Sequence, residues 1–142
     1  MKKEINKSEM FSSLLGILPS AKDAWEEHLK DSEGDDLSYV GISVFTRRIV
    51  ELSENNKMET FPSVFATVEK LLREGNEEVK GLMIVGFLES LQNISSWTNR
   101  GSKDFVEWLQ PKTLQAWKEL ETAWEGKSNL GEVLREELNQ KR

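Results

Sequence analysis

Asn76-Glu77-Glu78-Val79-Lys80-Gly81-Leu82-Met83-Ile84-Val85-Gly86-Phe87-Leu88-Glu89-Ser90-Leu91 is the stretch that decides the fold. It opens as a helix should. Asn76 is a strong N-cap, and two acids follow in the first turn, where they meet the positive end of the helix dipole. Beyond that turn the segment is apolar almost all round, and a helix without a polar face has to be enclosed by others. Gly81 and Gly86 would each cost about 1 kcal/mol relative to alanine in an exposed helix, so both are expected where neighbouring backbones approach. The stretch therefore predicts an all-α protein packed around this helix.

The flanking sequence repeats its apolar residues at three and four, the helical spacing, with start and stop signals between the runs. Just upstream, Phe61, Phe65, Val68 and Leu72 step along one face, Pro62 stands in a first turn, and Gly75 is placed as a stop. Further back, Ile42, Phe45, Ile49 and Leu52 form the stripe of a helix around Ser38–Ser53, which Asn55-Asn56-Lys57 breaks. Ser20 is expected to cap a helix carrying Ala24, Trp25 and Leu29. The first helix begins at Asn6, with Glu9 as its capping-box partner, and presents Met10, Phe11, Leu14, Leu15 and Leu18 before Pro19. Downstream, Ser102 caps a short helix with Phe105, Val106, Trp108 and Leu109, and Pro111 opens one with Leu114, Trp117, Leu120 and Trp124. Ser128 or Asn129 caps a last helix through Leu130, Val133, Leu134 and Leu138, and the tail 139–142 should fray. The expectation is about eight helices in one domain spanning 1–142.

The chain has 142 residues, within the usual size of a single domain, and is long enough to bury one core without a staple. It has no cysteine, which excludes disulfides, thiol nucleophiles and cysteine zinc sites. The basic start Met1-Lys2-Lys3 is not followed by an apolar run, so no signal peptide is expected. The longest nearly uncharged apolar run, Gly81–Leu88, is far short of the ~20 residues that span a bilayer. A cytoplasmic protein without a membrane partner is the resulting expectation.

The segment Phe61–Asn93 resembles one HEAT-type helical pair. The residues that carry the likeness are Gly75-Asn76-Glu77-Glu78-Val79-Lys80, followed by Gly81, Gly86, Leu88 and Leu91. The fold is thus expected to be a helical bundle or a short HEAT-like array. The whole chain is also similar to a family of small uncharacterised bacterial proteins. That likeness lies in Trp25-Glu26-Glu27-His28-Leu29, Phe61-Pro62-Ser63-Val64-Phe65, Gly86–Asn93, Leu109-Gln110-Pro111-Lys112-Thr113 and Trp117. Its size and acidity are similar to those of immunity proteins, which neutralise toxins of neighbouring bacteria.

No catalytic residue, cofactor site or metal site is expected from the motifs. His28 is the sole histidine and reads as a surface residue on an acidic helix. The loop Asp31–Asp36 alternates acids around a glycine, but an EF-hand counted from Asp31 needs a glutamate where Ile42 stands. Glu26 and Glu27 are adjacent on a helix and point to different sides, so they do not form an acid–base pair. No phosphate loop, nucleophile elbow or dinucleotide fingerprint appears.

Charge is what points to a function. The net charge is −6, and between Ser20 and Val40 seven acids face Lys22 and Lys30, a local sum of −5. A second acidic stretch, Glu119–Glu137, sums to −4. Phosphate backbones repel such surfaces, whereas a basic protein is steered towards them. The expectation is a non-catalytic protein-binding module of the immunity or inhibitor type, with a basic partner and no nucleic acid. Its contact residues would be Glu26, Glu27, Glu33, Asp35, Asp36, Tyr39 and Trp97. The alternatives are a helical-repeat adaptor holding a peptide in an apolar groove beside Phe61–Asn93, or an enzyme with a carboxylate site that no motif reveals. Monomer and homodimer are both compatible with the sequence.

Overall fold

A computed structural model describes residues 3–33, 38–96, 98 and 102–122. The fold is all-α. Helix α1 (Lys7–Ile17) leads through a 3-10 turn (Pro19–Ala21) into α2 (Lys22–Asp31), followed by α3 (Ser38–Glu54) and α4 (Phe61–Glu74). Helix α5 is one rod running from Glu77–Gly81 through a π-helical stretch, Leu82–Glu89, to Ser90–Ser95. The junction residues Gly81, Leu82, Glu89 and Ser90 all keep right-handed helical torsions. A second 3-10 segment (Ser102–Trp108) precedes α6, residues 111–122.

Among the described residues there are thus six helices. About eight were expected from the sequence. Ser102–Trp108 winds as a 3-10 segment, and the expected helix from Ser128 or Asn129 lies outside the described residues, as does Trp124.

Local chemistry sets most of the boundaries. Asn6 and Glu9 make the reciprocal capping box, Glu9 N to Asn6 Oδ1 at 2.9 Å and Asn6 N to Glu9 Oε1 at 3.2 Å. Asn76 caps α5 through Val79 N at 2.9 Å. Ser20, by contrast, caps nothing. Pro19 draws it into the 3-10 turn, and its hydroxyl instead accepts from Arg48 Nε at 3.0 Å. Helix α3 ends in a Schellman pair, Lys57 N to Leu52 O at 2.8 Å and Asn56 N to Ser53 O at 3.1 Å, with Asn56 left-handed at φ 57°. Between α4 and α5, a β-carbon on Gly75 would overlap the Val79 side chain and stand 2.5 Å from Leu71 O, so only glycine fits that turn. Ile5 is clipped onto the same turn, donating to Glu74 O at 2.8 Å and accepting from Asn76 N at 2.9 Å.

The expected stripes face inward. Ile42, Phe45, Ile49 and Leu52 of α3 are buried, as are Phe61, Phe65, Val68 and Leu72 of α4. Helix α5 lies between α3 and α4. Its Gly86 packs against Ile42, and its Ser90 hydroxyl is 3.1 Å from that of Thr46. The two glycines differ, however. Beyond its own stretch of helix, Gly81 has no atom of a described residue within 4 Å of the place of a β-carbon, so it is not the close-packing position expected of it. The rod is not enclosed throughout either, for Val85 is 48% exposed.

Two aromatic clusters lock the periphery to this centre. Phe11, Trp25 and Phe45 join α1, α2 and α3, with Phe11 and Trp25 centroids 4.6 Å apart. Phe61, Phe65, Phe87, Phe105 and Trp108 join α4, α5 and the second 3-10 segment. Each such ring pair contributes about 0.5–1.5 kcal/mol beyond the area it buries.

Candidate functional site

Burial of Trp25 against Phe11 and Phe45 fixes the rotation of α2. Residues on its other sides, Asp23, Glu26, Glu27 and Asp31, are consequently exposed. Glu26 is offset by Lys22 at 3.9 Å, an exposed pair that contributes little. Ser32 closes the helix, its hydroxyl bonding His28 O at 2.7 Å, and exposed Glu33 follows in the left-handed region at φ 56°. Asp35, Asp36 and Trp97 lie outside the described residues.

Helix α3 starts with two apolar side chains in the open. Tyr39 and Val40 are each 56% exposed. They point in different directions. Tyr39 lies toward Gly86 of α5, where an added β-carbon would come within 3.4 Å of its ring. Val40 instead lines a groove between α2 and α3 of about 400 Å³. Ala24, Val40 and Val44 supply its apolar surface. Glu27 and Asp31 stand on the α2 side, with Arg47 on the α3 side. Arg48 is already engaged, its Nη1 donating to Glu51 at 3.0 Å and its Nε to Ser20. Among the described residues, Glu27, Asp31 and Arg47 take part in no ion pair.

The structure therefore gathers Glu27 into a groove, leaves Glu26 and Glu33 on the outer surface, and puts Tyr39 outside the groove lining. The two arginines were not anticipated. Their proximity to α2 depends on how α3 packs, which an acidic tally over 20–40 does not register. Residues 24, 27, 28 and 31 do share one edge of a helix, and that spacing was the available signal.

A second cleft of about 220 Å³ lies beside the α4–α5 pair, where α6 crosses Leu72 and Ile84. Lys80, Lys112 and Glu119 surround it. Nearby is a buried acid that sequence reasoning also missed. Glu69 of α4 is 2% exposed and accepts from the first turn of α6, Thr113 N at 2.9 Å and Lys112 N at 3.1 Å, and from Arg73 Nε at 3.2 Å. Burial alone would push this carboxyl up. The Thr113 and Lys112 N–H groups, the Thr113 hydroxyl and the Arg73 charge outweigh it, and the group lies below the ordinary glutamate range. Glu69 thus caps the first turn of α6. No three His, Cys, Asp or Glu side chains among the described residues are grouped to hold a metal ion. No described helix is long and apolar enough to cross a membrane.

The family model for a domain of unknown function, DUF7674, matches residues 11–125. The chain belongs to this family. The DUF7674 match includes the α2–α3 groove and Glu69 with its α6 partners, while Ile5 and the Asn6 cap precede it. Comparison with curated proteins and with solved structures finds no match.

Proposed function

We propose that this DUF7674 protein is a non-catalytic binding module of the immunity or inhibitor type, which engages a basic protein partner through α2 and the start of α3. The observation that carries the reading is the pair Tyr39 and Val40, over half exposed at the head of α3 beside the exposed acids Glu26, Glu27 and Glu33. Exposed apolar anchors are costly in water and are useful where a partner covers them. Acids around them accelerate the encounter with a basic surface and suppress wrong partners.

The test is capture of the partner from the native cell extract, followed by binding kinetics at low and high salt. Reversing Glu26, Glu27 and Glu33 to Lys should slow association and flatten its salt dependence. Tyr39→Ala should shorten the lifetime of the complex. An acidic partner, or a triple reversal that alters neither rate nor salt dependence, sinks the proposal.

A second reading, an adaptor that holds a peptide beside a HEAT-like pair, draws on the cleft at Leu72, Ile84 and Ala116. It is the weaker one because α6 already crosses that face, and the cleft is about 220 Å³ against about 400 Å³ for the α2–α3 groove.

A further inference from the structure

The α2–α3 groove has a shape and a charge pattern that specify its occupant more narrowly than an acidic surface does. Its lining residues recur at helical spacing on both walls, 24, 27, 28 and 31 on α2 and 40, 44, 47 and 51 on α3. On α3 they span eleven steps, about 16 Å at 1.5 Å per residue, which is the length of roughly three helical turns. A trough of this kind between two packed helices accepts the apolar stripe of a third. The apolar surface offered is Ala24, Val40 and Val44, and Val40, 56% exposed, is open to anchor a partner.

The two edges carry opposite charge. Once Arg48 and Glu51 cancel each other, Glu27 and Asp31 remain on α2 and Arg47 on α3. None of these three is in an ion pair among the described residues.

We infer that the groove docks an amphipathic helix of about three turns from a protein partner, one that lays an apolar stripe on Val40 and Val44 with basic residues along its α2 edge and an acid facing Arg47. The inference rests on the reading of the protein as a binding module and sharpens it. A uniformly basic helix would place a like charge against Arg47, and charge on opposite edges fixes which way round the helix lies.

The probe is a displayed library of helix-forming peptides of about 14 residues. Its apolar stripe is fixed as Leu, and both flanking edges are randomised among Lys, Glu and Ser. Selection is against the full-length chain. Enriched peptides should carry Lys on one edge and Glu on the other. Val40→Asp changes an exposed position, so it should leave the thermal melt unchanged while weakening these peptides at least tenfold. Selection against Arg47→Glu should replace the peptide acid by Lys. Peptides rich in Lys on both edges, insensitive to Val40→Asp and Arg47→Glu but sensitive to reversal of Glu26 and Glu33, would overturn the groove inference and leave the acidic-face proposal standing. Absence of any enrichment overturns the inference as well.

Discussion

Replacing Glu69 by Gln keeps the shape of a buried side chain and removes its charge, so it isolates what the carboxylate does. Both carboxylate oxygens are engaged, one with Thr113 N at 2.9 Å and the other with Lys112 N at 3.1 Å. An amide has a single acceptor oxygen, so one N–H at the start of α6 is left facing an NH₂ group. Losing one hydrogen bond to a charged acceptor costs about 1.5–3 kcal/mol. Removing a negative charge from a helix N-terminus costs up to about 2 kcal/mol in partly buried sites. The two overlap, and the Arg73 pair adds less than about 1 kcal/mol because the Arg73 side chain is 55% exposed. The expected loss is therefore about 2–4 kcal/mol, which in urea moves the midpoint by roughly 1–2 M.

The pH dependence follows from the same contacts. The folded-state carboxyl lies below its unfolded value of about 4.3, so its contribution is complete above that value and is lost as pH falls through the lower folded one. Urea titrations of both proteins at neutral pH and at several acid values test this. The wild type should lose its advantage over Glu69→Gln on acidification. Equal midpoints at neutral pH, or an advantage that persists once the carboxyl is protonated, would refute the capping argument.

Gly86→Leu should lower the denaturation midpoint by the equivalent of about 1–3 kcal/mol, since its side chain has to enter the contact with Ile42 and Tyr39. Gly86→Ala should be tolerated, because a methyl there meets its neighbours at 3.4–3.5 Å. Gly81→Ala should raise stability by about 1 kcal/mol, as the methyl meets nothing and the helix gains propensity, whereas Gly75→Ala should destabilise. Gln92→Glu should cost about 2–4 kcal/mol at neutral pH and recover in part on acidification, which chemical denaturation at two pH values will report. Gln92 donates to Trp117 O at 3.1 Å, and among the described residues its own buried Oε1 meets no donor.

Features written in neighbouring residues were legible beforehand. Helical spacing identified the buried stripes of α3 and α4, and side-chain chemistry located the caps at Asn6 and Asn76 and the stop after α3. What escaped depends on contacts between distant residues. Glu69 sits beside the apolar stripe of α4 and reads as an ordinary surface acid until α6 delivers Thr113, a residue 44 positions away. The π-helical stretch 82–89 has no signature in its composition, which suits an α-helix equally. Of the candidate site, the exposure of Glu26 and Glu27 followed from the position of Trp25. The groove did not, because it exists only when the 24/27/28/31 edge of α2 meets α3 and brings Arg47 opposite.

The clip between Ile5 and the α4–α5 turn bears on the order of folding. Its two hydrogen bonds join positions roughly 70 residues apart, so the entropy of closing that loop opposes them until α1 and α4 have already docked. They are accordingly expected to form late and to open early. Hydrogen exchange will register this as matched, faster exchange at the amides of Ile5 and Asn76 than within α4. A segment attached ahead of Ile5 would therefore be felt first at the α4–α5 junction, where the central helix begins, far along the chain from where it was added.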